Sequence, residues 1–92
     1  MSDEEVKVIE ITDELDLHHF QPREVADLVG EYLEAAHEKG FTRVRIIHGK
    51  VTGALRRTVH GALDRHARVA SYQLDGNWGA TIVELLLTSS RP

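Results

Sequence analysis

The stretch Ile46-Ile47-His48-Gly49-Lys50-Val51-Thr52-Gly53-Ala54-Leu55-Arg56-Arg57 constrains the fold more than any other part of the chain. An apolar β-branched run delivers a histidine and a lysine to a turn bracketed by glycines. The apolar pattern of a helix (Leu55, Val59, Ala62, Leu63) begins at once behind it. A strand–loop–helix junction of this kind turns backbone N–H groups, here those of Thr52 to Ala54, and the positive end of a helix dipole toward one place, which favours anions. Lys50, Arg56 and Arg57 add positive charge there, so a phosphate-bearing ligand is expected. The junction is not a Walker loop, which puts its lysine after the second glycine, whereas Lys50 follows the first. The competing reading is an ordinary loop whose glycines only turn the chain.

The same logic extends outward from the junction. Pro22 suits a first helical position, and Val25, Leu28, Val29, Tyr32, Leu33 and Ala36 follow at helical spacing until Gly40. Glu14 to His18 reads as a short strand with Leu15 and Leu17 on one face and Asp16 and His18 on the other. Val44, Ile46 and Ile47 form the next strand, and a basic helix runs from about Gly53 to His66. Val69–Leu74 and Thr81–Leu87 are final strands joined by Asp75-Gly76-Asn77-Trp78-Gly79. The order β-α-β-α-β-β predicts an α/β fold, with two helices on a four-stranded mixed sheet. Residues 1–13 are read as an extension, disordered over 1–5 and with a possible extra strand from Val6 to Ile11; residues 14–88 form the domain.

A chain of 92 residues allows one domain with a modest core, and the absence of cysteine excludes disulfides and thiolate metal sites. No apolar run approaches a membrane span, and the start Ser2-Asp3-Glu4-Glu5 is opposite in charge to a signal peptide, so a cytoplasmic protein with no membrane partner is expected. The net charge of −4 hides an asymmetry. Residues 1–38 carry twelve acids and two bases, whereas residues 43–68 carry seven bases and one acid, Asp64. Binding responds to such a local patch rather than to the sum, so nucleic acid remains an eligible partner. The plain alternative is solvated charge on two faces of opposite sign.

If the strands at 14–18 and 43–48 run parallel, with the first helix crossing over between them, their carboxyl ends share one edge of the sheet. Asp16, His18, His48 and Lys50 then gather beside the helix start, a constellation suited to proton transfer at a bound phosphate. Taken singly, Asp16 also suits a cap, His18 and His48 suit satisfied structural positions, and Lys50 suits a solvated surface. His19, His37, His60 and His66 are expected to face solvent. Trp78 either closes one end of the core or stacks on a base. Asp16 with two histidines is a donor set for a divalent ion such as Mg²⁺ or Mn²⁺. No second carboxylate stands at a suitable spacing, so no metal site is assigned.

Three segments together resemble the Smr (small MutS-related) domain family. They are Leu15-Asp16-Leu17-His18, His48-Gly49-Lys50-Val51-Thr52-Gly53-Ala54-Leu55-Arg56 and Gly76-Asn77-Trp78-Gly79-Ala80-Thr81-Ile82-Val83, in order across residues 15–87. The resemblance implies a two-layer α/β sandwich like the C-terminal domain of translation initiation factor 3. It also implies nicking or cleavage of DNA or RNA. The positions it carries over are Asp16, His18, His48, Gly49, Lys50, Gly53, Gly76, Gly79 and Thr81. Thr52, Arg56, Arg57 and Trp78 join the expected phosphate- or nucleic-acid-binding set. The chain departs from the family pattern at His19, Val51 and Asn77, where the family has glycine.

The leading expectation is therefore an endonuclease-like domain. His48 serves as acid or base, Asp16 orients water or an imidazole, and His18 is a second proton-transfer group. Lys50 and the Thr52–Ala54 amides hold the phosphate. The rival is a non-catalytic nucleic-acid-binding module of the same fold, in which bulk at Val51 has cost the chemistry. A third reading makes the acidic first helix a docking surface for a protein, although the sequence specifies no protein partner.

Overall fold

A computed structural model describes residues 11–17, 20–49, 53–76 and 79–87. The elements are β1 (Glu14–Asp16), α1 (Pro22–Glu38), β2 (Arg43–Ile47), α2 (Ala54–Arg65), β3 (Val69–Leu74) and β4 (Ala80–Leu85). They form one four-stranded sheet in the order β1-β2-β4-β3. β1 is parallel to β2, with Asp16 beside Ile47, so both carboxyl ends do lie on one edge. β4 runs antiparallel to both of its neighbours, which makes the sheet mixed and leaves β3 pointing the same way as β2. The expected strand at Val6–Ile11 falls largely outside the described residues. Thr12 and Asp13 are held to the domain, since Thr12 O accepts from Tyr32 Oη at 2.6 Å and Asp13 O from the Arg45 amide at 2.8 Å.

α1 starts where the fixed φ of Pro22 suits a first turn, and the Gln21 amide donates to the Glu24 carboxylate at 3.2 Å. The helix buries Val25, Val29, Tyr32, Leu33 and Ala36, one stripe at spacings of three and four. α2 buries Val59, Ala62 and Leu63, and the two helices contact each other. Leu17, just past β1, and the inward strand residues Val44, Ile46, Val83 and Leu85 complete the core. Alternation sends Glu14, Arg43, Arg45 and Glu84 to the opposite face of the sheet, where they pair. Arg45 bonds Glu14 at 3.0 Å and Asp75 at 2.9 Å, and Arg43 bonds Glu84 at 2.8 Å. Arg68 pairs with Glu34 at 3.4 Å, so three of the seven bases counted along residues 43–68 are matched by acids from other elements. Among the described residues, Arg56, Arg57 and Arg65 form no ion pair.

Candidate nucleic-acid site

The second and third sequence motifs meet at the end of β2. The amides of His48 and Gly49 both donate to the Gly79 carbonyl, at 3.0 and 2.9 Å. Gly49 then turns with φ +78 and Gly53 with φ +84, left-handed conformations that side chains rarely adopt. One of the two glycines follows the end of β2 and the other caps α2. Gly53 caps α2 without a side-chain bond, and the first turn carries no acid. Arg56 folds back so closely that a Cβ placed on Gly53 would stand 3.2 Å from its Nη2. A guanidinium held over the positive end of a helix is electrostatically unfavourable by itself, and a bound anion would offset both charges. Arg57 is exposed beside it.

The alternation that buries Val44 and Ile46 carries His48 to the helix side of the sheet, where it is only 4 % exposed. Its Nδ1 lies 2.9 Å from the Gly49 carbonyl and its Nε2 lies 2.9 Å from Thr81 Oγ1. Thr81, wholly buried on β4, is also 2.8 Å from His60 Nε2 on α2. The His48 and His60 rings stand edge to face with centroids 6.0 Å apart. His60 also packs on Tyr72 of β3 at 4.8 Å, and Tyr72 Oη donates to Asp64 Oδ1 at 2.7 Å. Burial is the main cause that lowers the pKa of His60 below 6.5. The neighbouring His48 and Arg56 add to it, and Asp64 opposes. The bond to Asp64 and partial burial push the Tyr72 hydroxyl up from 10.0.

The chemistry of the partners assigns the protons. A carbonyl only accepts, so His48 Nδ1 carries hydrogen and, in the neutral ring, its Nε2 accepts. The one hydroxyl proton of Thr81 therefore goes to His48 Nε2. Thr81 Oγ1 must then accept from His60, whose Nε2 is the protonated nitrogen.

His60 corrects the sequence reading, which placed it in solvent. It lies one position off the buried Val59–Ala62–Leu63 stripe, and its bonding partner comes from a distant strand. His66 likewise is not a free surface side chain: its Nε2 is 3.3 Å from the Gly30 carbonyl and 3.5 Å from Glu34. The stripe Arg56–His60–Asp64, at steps of four along α2, was the signal available for His60.

The other expected residues fall in three places. His48, Gly49, Gly79 and Thr81 are joined directly, with Gly53 and Arg56 at the start of α2 behind them. Asp16 ends β1 at the same edge and is exposed, but it alternates with Leu15 and Leu17 and so leaves the sheet on the face away from His48. Gly76 lies in the exposed β3–β4 turn, its amide bonded to Asp75 Oδ1 at 2.7 Å. His18, Lys50, Thr52 and Trp78, with Val51 and Asn77, lie outside the described residues. Among those described, no group of three or more His, Asp or Glu side chains is placed to hold a metal ion.

Comparison with known proteins matches the sequence and the fold of this chain to a family. The family model described as Smr domain matches residues 15–86. A relative called endonuclease MutS2 from Pelotomaculum thermopropionicum is 43% identical over 83 residues, covering 86% of this chain and 11% of that protein. Endonuclease MutS2 of Staphylococcus saprophyticus is 42% identical, covering 78% of this chain and 10% of its own length. The chain thus spans about a tenth of the length of these curated relatives. Among solved structures, the Smr domain of Thermus thermophilus MutS2 is similar with a TM-score of 0.77 and 35% identity, covering 82% of this chain and 99% of that one. YdaL, a stand-alone small MutS-related protein from Escherichia coli, gives a TM-score of 0.74 at 26% identity, covering 79% of this chain and 63% of its own. With its three motifs, its sheet order and these relatives in agreement, the chain belongs to the Smr domain family.

Proposed function

We propose that this chain binds nucleic acid through the loop at 48–53 and the start of α2, and cleaves a phosphodiester bond there. The observation that carries the reading is the imidazole pair bridged by Thr81, joined through His48 to the loop from which α2 and Arg56 emerge. In outline, an imidazole nitrogen takes the proton of the attacking water or ribose hydroxyl. The nucleophile's oxygen bonds to phosphorus, the bond to the leaving oxygen breaks, and that oxygen takes up a proton. Arg56, Lys50 and the loop amides stabilise the charge gathering on the phosphate. His18 is the second proton-transfer candidate, and Asp16, which leaves the sheet on the face away from His48, is given no contact with the reacting atoms in this reading. The name endonuclease borne by the MutS2 relatives supports this chemistry, and a cytoplasmic setting would bring the domain together with nucleic acid.

One observation favours the rival, a binding module without chemistry: both nitrogens of His48 are engaged within the protein, and the ring is nearly sealed from solvent. The deciding experiment incubates wild-type protein and an Arg56→Glu/Arg57→Glu variant with end-labelled single-stranded RNA and supercoiled plasmid, with and without Mg²⁺ or Mn²⁺. Cleavage by wild type, with weak binding and little product from the variant, supports the proposal. A salt-sensitive gel shift without product supports the rival. Equal binding by both proteins removes the anion site from the account.

A further inference from the structure

We propose that His60 is the group through which the site exchanges a proton with its substrate, by way of Nδ1, and that His48 and Thr81 act as its positioning chain. The proposal rests on the cleavage reading above and names the residue that performs its acid–base step. It follows from the direction of the hydrogen bonds. The Gly49 carbonyl fixes hydrogen on His48 Nδ1, His48 Nε2 accepts from Thr81, and Thr81 accepts from His60 Nε2. Of the four imidazole nitrogens, three are thereby occupied. Among the described residues, only His60 Nδ1 has no hydrogen-bond partner, and in this tautomer it carries a lone pair. His48 cannot serve directly without breaking one of its two bonds, and it is 4 % exposed, whereas His60 is half-buried.

The surroundings suit a base. Arg56 and Asp64 flank His60 one turn away on either side of α2, His48 faces it from the end of β2, Tyr72 from β3 and Thr81 from β4. Burial first, and Arg56 beside it, lower the pKa of the ring from its usual value, which favours the neutral form that carries the lone pair. The Arg56 guanidinium reaches back to Gly53 and also acts electrostatically on His60, so a phosphate held by it at the helix start would be near the imidazole. When Nδ1 takes the nucleophile's proton, a new N–H bond forms and the ring becomes cationic. The Nε2–H bond to Thr81 then strengthens, because a charged donor binds its acceptor more tightly. On return of that proton to the leaving oxygen, the ring is neutral again and the balance closes without a further reagent.

The test has two arms. In ¹⁵N-labelled wild-type protein at pH 8, two-bond ¹H–¹⁵N imidazole spectra report which nitrogen of each ring carries hydrogen. The proposal expects Nδ1–H for His48 and Nε2–H for His60; hydrogen on His60 Nδ1 overturns it. In the second arm, His60→Gln keeps an N–H donor near the place of Nε2 and removes the titrating lone pair. With the fold intact by circular dichroism, cleavage is expected to fall by about 10²-fold or more and to lose its acid-side pH dependence. Cleavage within twofold of wild type, with an unchanged pH profile, overturns the proposal. If wild type cleaves nothing, the cleavage reading fails, and the spectra still decide whether His60 Nδ1 is the open end of the chain.

Discussion

Replacing Thr81 by valine exchanges a hydroxyl for a methyl at a site with no solvent exposure, and the outcome separates a polar account of this core from a packing account. Thr81 Oγ1 makes two hydrogen bonds, at 2.9 and 2.8 Å, to two imidazoles. Each bond contributes about 1 kcal/mol net, and a buried polar group left without its partner costs about 1–3 kcal/mol. The lone pair of His48 Nε2 is left sealed in, while the half-buried His60 can turn partly toward water. Valine's extra methyl offsets about 0.8 kcal/mol, so Thr81→Val should destabilise by about 2–3 kcal/mol. Thr81→Ser keeps both bonds and removes one methyl, at a cost of about 1 kcal/mol. Urea unfolding at pH 8 checks the order; with a slope of about 1 kcal/mol/M, the valine midpoint should fall by roughly 2 M. A valine variant as stable as the serine one would refute the reasoning, because it would mean that the imidazoles do not depend on the hydroxyl.

Three further outcomes are expected. Gly49→Ala and Gly53→Ala should each lose about 1–2 kcal/mol from left-handed backbone, but only Gly53→Ala meets Arg56, so only it should also weaken RNA binding in a gel shift. The folded pKa of His60 lies below the unfolded 6.5, so the unfolded chain binds more protons in that window. Stability is then complete above pH 6.5 and declines as the pH falls through the window, and His60→Gln should flatten that decline in urea titrations. Tyr32 is pushed up to about 12, chiefly by burial and then by Asp13 and Glu14, so the folded state holds its proton where the unfolded chain has lost it. Its contribution is complete below pH 10.0 and disappears as the pH rises to about 12; Tyr32→Phe should remove this alkaline loss.

What the sequence made legible depended on how local each signal was. The α1 stripe, Pro22 and the paired glycines are local patterns; the structure starts the helix at Pro22 and gives Gly49 and Gly53 the positive φ that suits glycine. The alternation of Leu15 with Leu17 was equally readable. Strand ends were not: Leu86 and Leu87 continue the apolar run past β4 but stand 45% and 77% exposed, since apolar character does not mark where the ladder stops. The basic block was misleading for a related reason. Arg43 meets Glu84 only once the β2–β4 register is known, and Arg45 meets Asp75 only through the turn after β3. His60 was hidden in the same way. Its spacing on α2 marks the flank of a buried stripe, and only the register that lays Thr81 beside Ile46 brings the hydroxyl, and with it His48, within reach.

The most direct measurement compares wild-type protein with His48→Ala, confirmed as folded by circular dichroism, on supercoiled plasmid and end-labelled RNA. Under the proposed reading the imidazole pair works in acid–base catalysis as a bonded unit, and such a step typically contributes about 10²–10⁴ in rate. Cleavage by wild type that falls at least about a hundredfold in the variant, with binding retained, is the predicted result. Wild-type rates in a folded His48→Ala protein would contradict the account.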